Sequence, residues 1–230
     1  MKKTLWIALV GLLLAGVVAV SAQEVLSANA VGYIKKTMPA GGKLVAVSHP
    51  LESMTSSDVT FGATSLADEM PQGSVVFFWD EQFQNWGGGM KSGKGWAAAE
   101  GNRVIAPGEG FFIKGPVAAT EDVDVTMTGE VPSDATLSRA IVGGAALSTM
   151  ANPYPVDMVF GETDLADQAP QGSVVFFWDE TFQNWGGGMK SGKGWAGAEA
   201  QKLIEAGEGF FLKLPDAGAT WAADKPYTWP

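Results

Sequence analysis

The sequence predicts an all-β protein made of two tandem β-sandwich- or barrel-like repeats, with one pseudo-twofold β domain built from both copies as the alternative arrangement. Three observations lead there. Residues 71–97, PQGSVVFFWDEQFQNWGGGMKSGKGWA, recur at 170–196 with one change in 27 positions, Gln82 against Thr181. The wider window 66–114 agrees with 165–213 at 38 of 49 positions, at a constant offset of 99. Apolar residues come in short β-branched and aromatic runs separated by glycine and proline, and nowhere in a long helical period, which is the punctuation of short strands.

The chain opens with Lys2 and Lys3, an apolar run over residues 5–20 and the small-residue site Val20-Ser21-Ala22. That order describes a secretory signal peptide cut after Ala22. The run is shorter than the roughly 20 residues that cross a bilayer, with an uncleaved anchor as the other reading. The mature chain, from Gln23, is then exported to the periplasm, cell surface or extracellular space and carries no integral membrane span. Repeat modules are expected at 23–115 and 116–230. Without Lys2 and Lys3, 13 basic residues face 25 acidic ones, a net charge of −12. Such a field repels nucleic acid and anionic lipid. With no cysteine to form disulfides or thiolate metal sites, stability rests on packing, for which eight of the nine tryptophans (all but Trp6) and twelve phenylalanines are the material.

Residues 29–38 (NAVGYIKKTM) read as a first strand and 43–48 (KLVAVS) as a second, stopped by His49-Pro50. Ser65-Leu66-Ala67-Asp68 has the spacing of a capping box, and Asp164 begins its counterpart; Pro71 and Pro170 limit each helix to a turn or two. Val75-Val76-Phe77-Phe78-Trp79 is short, β-branched and aromatic, so it reads as a strand covered on both faces, with Trp79 and Trp178 in the core. Asp80-Glu81-Gln82 turns the chain, 83–86 returns as the second hairpin arm, 87–95 is a glycine-rich loop, and 109–114 (EGFFIK) closes the module. Residues 115–120 mark the boundary, and 121–129 (EDVDVTMTG) form a strand beyond it. Residues 141–150 repeat the second strand, with Asn152-Pro153 where His49-Pro50 stood. The tail, 219–230, reads as a final edge strand without a counterpart in the first copy.

The ordered set NAVGY, a Gly-Lys-Leu-Val strand ending in Pro50, GSVVFFWD, a lone Trp96, PGEGFFIK and a closing Thr-Trp at 220–221 resembles a family of exported two-repeat proteins of planctomycete- and verrucomicrobium-type bacteria. The resemblance covers nearly all of the mature chain. It implies a two-repeat exported β protein, and brings no assigned activity and no catalytic residues.

Residues 88–94 and 187–193 fit G-x-x-x-x-G-K, but Gly95 and Gly194 stand where a phosphate loop needs Ser or Thr for magnesium, and no long helix follows. No nucleotide is expected. His49 is the only histidine and Asn152 takes its place in the second copy, so a duplicated Ser-His-Asp set is excluded. The adjacent pairs Asp80-Glu81 and Asp179-Glu180 point apart on a turn, whereas glycoside hydrolysis needs carboxyls facing across a cleft. No D-x-D-x-D-G run suggests calcium. No catalytic residue, metal or cofactor is therefore expected, and the protein reads as a non-enzyme.

The strongest candidates lie in the tryptophan- and glycine-rich loops: Asn85, Trp86, Lys94 and Trp96, repeated as Asn184, Trp185, Lys193 and Trp195. Indole faces stack on sugar rings or other flat groups, amides and ammoniums add directed bonds, and glycine admits a ligand to the backbone. The same tryptophans could instead cap the ends of a β core. Two functions follow as expectations. One is a non-enzymatic cell-surface or extracellular-matrix protein whose modules serve assembly or adhesion with other envelope proteins. The alternative is a bivalent, lectin-like protein that binds glycan through the two loops.

Overall fold

The computed structural model describes residues 30–228, and the expected signal peptide and its cleavage site lie outside them. The chain is all-β and repeats itself. The first repeat comprises β1 (Val31–Met38), β2 (Leu44–Ser48), α1 (Ser65–Glu69), β3 (Val75–Asp80), β4 (Asn85–Met90), α2 (Ala98–Gly101), β5 (Gly110–Lys114) and β6 (Val123–Glu130). The second comprises β7 (Thr136–Ile141), β8 (Leu147–Ala151), β9 (Met158–Val159), α3 (Asp164–Gln168), β10 (Val174–Asp179), β11 (Asn184–Met189), α4 (Gly197–Ala200), β12 (Leu203–Ile204), β13 (Gly209–Lys213) and β14 (Ala219–Asp224). Each repeat holds an antiparallel four-stranded sheet, β2-β5-β3-β4 or β8-β13-β10-β11, and a two-stranded ribbon, β1-β6 or β7-β14; β9 and β12 add a short pair.

Ribbon and sheet pack as a small sandwich. In the first repeat Ile34, Met38, Val125 and Met127 of the ribbon meet Val45, Val47, Val76, Phe78, Phe111 and Ile113 of the sheet. Strand β6 lies past the expected 115/116 boundary, yet it pairs along its whole length with β1, Val31 opposite Glu130 and Met38 opposite Val123. The equivalent partner of β7 is β14, so the tail strand does have a counterpart in the first copy. Val125 and Met127 point into one core as Trp221 and Ala223 point into the other, at an offset of 96. The pattern of burial was kept while the side chains changed, which hid the relation.

Two local expectations need correction. The helix caps are Thr64 and Thr163, whose hydroxyls accept from Ala67 N and Ala166 N at 3.1 Å; Ser65 instead donates to Thr126 O. The segment expected as a loop from Gly87 is strand to Met90, because β3 offers it a full ladder from Val75–Met90 to Asp80–Asn85. Glycine is required within that ladder. A Cβ on Gly88 would overlap Val76 O, and one on Gly89 would stand 2.6 Å from the Glu100 carboxyl carbon.

The alternation of strand side chains then explains the apolar runs. Val76 and Phe78 enter their own repeat's core, while Phe77 and Trp79 face the other repeat; Phe111 and Ile113 go inward and Phe112 outward. With their equivalents Phe176, Trp178 and Phe211 these outward residues form a third cluster between the repeats. Ring centroids stand 5.3 Å apart for Trp79–Phe211 and 5.2 Å for Phe112–Trp178. The two backbones approach closely at Gly110 and Gly209, where a Cβ on either would sit 3.2 Å from the other's Cα.

Reciprocal polar contacts tie the same seam. The indole of Trp79 donates to Leu147 O at 2.9 Å, and that of Trp178 donates to Leu44 O at 3.0 Å. Gln84 and Gln183 make matching amide pairs with the backbone of Leu147 and Leu44. Arg139 reaches Glu81 at 2.6 Å.

Candidate functional site

The β3–β4 hairpin positions the first set of predicted residues. Asp80 Oδ1 accepts from the backbone N–H groups of Gln82 and Phe83 at 2.9 Å, which closes the turn. Gln84 follows with φ +52°, a left-handed conformation uncommon outside glycine, and Asp179 and Gln183 repeat the arrangement. The chain therefore enters β4 with Trp86 directly opposite Trp79, and β11 with Trp185 opposite Trp178.

Trp86 and Trp185 come together. Both line one groove with Leu44, Phe77, Phe112 and Trp178, of about 280 Å³. They are 41% and 39% exposed while resting on rings of both repeats: Trp86 on Phe112 and Phe211 at 5.3 and 5.7 Å, Trp185 on the same two at 5.6 and 5.0 Å. The lining residues carry no ionisable side chain, and the Trp178 indole N–H is committed to Leu44 O. The sequence suggested a separate site in each repeat; the fold makes one surface from both.

Trp96 and Trp195 are placed differently. Each packs on a phenylalanine of its own core, Phe61 at 4.9 Å and Phe160 at 5.0 Å, and donates its N–H to Ala67 O or Ala166 O. Lys91 and Lys190, from the same glycine-rich segments, each give their ammonium to three carbonyls at the end of the short helix, at 2.7–2.9 Å. Lys94 and Lys193 sit exposed at tight Ser92–Gly95 and Ser191–Gly194 turns, without an ion pair among the described residues.

Asn85 and Asn184 border a second kind of feature, a polar cleft present once per repeat. The first, of about 610 Å³, is lined by Asp80, Glu81, Glu100, Arg103, Glu109 and Arg139 over Gly87 and Gly88. Its counterpart, of about 550 Å³, has Asp179, Glu180, Glu199, Lys202, Glu208 and Lys36 in those places. Glu109 is buried and bound by Arg103 Nη2 at 2.6 Å and by Ala106 N at 3.0 Å, so it shapes the turn that precedes it. Burial raises the pKa of Glu81 against the opposing pull of Arg139. Burial also raises that of Glu180, with Glu208 and Glu205 adding to the rise and Lys36 opposing it. In the second cleft Lys36 pairs with Glu205 at 3.5 Å, leaving Glu180 without an ion-pair partner among the described residues.

His49 is buried, its Nδ1 3.0 Å from Leu51 O, and burial lowers its pKa. Gln84 and Gln183, which belong to the tryptophan loops singled out in the sequence, serve the seam; the residues that sequence reasoning passed over are Leu44, Leu147, Phe112 and Phe211, which assemble the seam and shape the groove. For Phe112 and Phe211 the advance signal was the run of large side chains in GFF, as in VVFFW, since a strand apolar at consecutive positions has two faces to cover. No protein-family model, curated protein or solved structure matches the chain.

Proposed function

We propose that this is a non-enzymatic exported protein of the cell surface or extracellular matrix that works by assembly or adhesion, and that its shared groove is the contact. Membership of the exported two-repeat family that its sequence resembles is part of the same reading. The observation that carries it is the convergence of Trp86 and Trp185, from different repeats, on one uncharged groove. Half-exposed tryptophans fixed by packing are the kind of side chain that dominates protein–protein contacts. A volume just below the ~300 Å³ of small-molecule pockets suits one apolar side chain of a protein partner. Sugar hydroxyls would find few hydrogen-bonding groups on those walls. Retention of the exported protein on cell envelopes tests the reading: the double variant Trp86→Ala/Trp185→Ala is expected in the soluble fraction, and a variant retained like the parent overturns it.

The twin polar clefts favour a second reading, a bivalent carbohydrate-binding protein. Each offers an asparagine amide, carboxylates and a tryptophan flank. A glycan array on the mature chain, with Asn85→Ala/Asn184→Ala beside it, decides: binding that the variant loses supports it, and no binding sinks it.

A further inference from the structure

We propose that copies of this chain join edge to edge through β4 and β11, each edge accepting a β4 or β11 strand of a second copy. The inference rests on the assembly reading and names the partner. Both strands are the last of their sheets, β4 hydrogen-bonded only to β3 and β11 only to β10. An outer strand presents alternate N–H and C=O groups ready to pair, and proteins ordinarily blunt such edges.

The outer sides of β6, β2 and β8 are blunted by contrast. Along β6, Thr126 N donates to Glu69 Oε2 at 2.6 Å, Thr128 N donates to Ser65 Oγ at 2.8 Å, and Ser65 Oγ donates to Thr126 O. The outer side of β2 is held by the Gln183 amide at Leu44 and by Gly207 O at Ser48 N. That of β8 is held by Gln84 at Leu147 and by Arg139 at Thr149 O. Among the described residues no side chain hydrogen-bonds to the backbone of β4 or β11.

The β4 and β11 edges are also uncharged, whereas the outer ribbon strands β1 and β14 carry Lys35 and Lys36, and Asp224. Both read Asn-Trp-Gly-Gly-Gly-Met, with no lysine, glutamate or proline. Trp86 and Met90 share one face of β4 at 41% and 61% exposure, and Phe83 in the preceding turn is 68% exposed. An added strand sets its own side chains beside that face. The occupant is a second copy for two reasons. First, the hexapeptide is the same on both edges, so either edge of one copy meets its own chemistry in the other. Second, with a mature net charge of −12, approach between copies is least opposed along strands that bear no charged side chain of their own. Two such edges per chain let each copy bridge two neighbours, so the association is open-ended.

Sedimentation velocity of the mature chain over a concentration series, with amide hydrogen exchange, tests this. The informative variant is Gly87→Lys/Gly186→Lys, since a Cβ at either position meets open space and φ there is not left-handed. The parent is expected to form concentration-dependent oligomers that grow with added salt, with β4 and β11 amides gaining protection. The lysine variant is expected to keep the parent's unfolding midpoint and lose association by at least about tenfold in dissociation constant. A parent that stays monomeric, or a lysine variant that assembles like the parent, overturns the proposal. If assembly survives Gly87→Lys/Gly186→Lys but is lost in Trp86→Ala/Trp185→Ala, the groove reading stands and edge pairing is wrong. If neither variant changes assembly, both fall.

Discussion

The side-chain amide of Gln84 pairs with the backbone of Leu147 as a neighbouring strand would: Oε1 accepts from Leu147 N at 2.7 Å, and Nε2 donates to Leu147 O at 3.1 Å. Gln183 does the same for Leu44, at 2.8 and 3.1 Å. Each repeat thus closes the first position of the other's outer strand without lending it any main chain.

Removing that amide strands the Leu147 N–H at a half-buried seam, while Leu147 O keeps its bond from the Trp79 indole. Gln84→Ala is expected to cost about 1–3 kcal/mol in urea unfolding, chiefly from that unsatisfied N–H. Gln84→Gly is expected to cost about 1 kcal/mol less, because it loses the same bonds but relieves a left-handed φ of +52°. Equal losses for the two variants would refute the strain argument.

Adjacent glycines of β4 should behave in opposite ways. Gly87→Ala places its methyl in open space and is expected to stay within roughly 0.5 kcal/mol of the parent. Gly88→Ala drives its methyl into Val76 O, so the hairpin must shift, at about 2–4 kcal/mol. Thermal unfolding of the two single variants checks the contrast.

Glu180 is raised in pKa chiefly by burial. A carboxyl raised in the folded state contributes stability that is full below its unfolded pKa and lost as pH rises through the folded value. Glu180→Gln is therefore expected to raise the melting temperature at about pH 7 and to make no difference at about pH 4, where the parent is largely protonated. Glu81→Gln should not copy the gain, because it leaves Arg139 without its carboxylate. A lower melting temperature for Glu180→Gln at neutral pH would contradict this account.

His49 acts in the opposite sense. Its pKa is lowered from 6.5 by burial, so the stability it allows is present above that value and is lost as pH falls through the folded pKa. The second repeat fills the position with Asn152, whose Nδ2 donates to Val156 O at 2.8 Å. His49→Asn is expected to flatten the fall in melting temperature between about pH 7 and pH 5. An unchanged slope would exclude His49 as its source.

The repeat, the strand class and the short helices were legible because local chemistry writes them: β-branched and aromatic runs, Pro71 and Pro170, and a capping signal read one residue late, at Ser65 and Asp164 where Thr64 and Thr163 cap. The ribbon of β1 and β6 was not, since its partners lie more than 80 residues apart and β14 shares burial with β6 but scarcely any residues. Glycines 87–89 read as loop because glycine is depleted in strands; here strand pairing and close approach to Val76 and Glu100 decide. Of the candidate residues, Trp86 and Trp185 meet because side chains on alternate faces of β3 and β5 serve different cores, a split no single window of sequence contains.

The seam around Gly110 and Gly209 has the form of an isologous interface, in which each half gives what it receives. Two free half-chains could use it only as a dimer, stable in proportion to their concentration. Joined in one chain, the halves meet at the effective molarity set by a short connection, so a single molecule is complete at any dilution. The join also releases the halves from having to match. Arg139 opposite Lys36 and Asn152 opposite His49 are asymmetries that a dimer of one sequence could not have held.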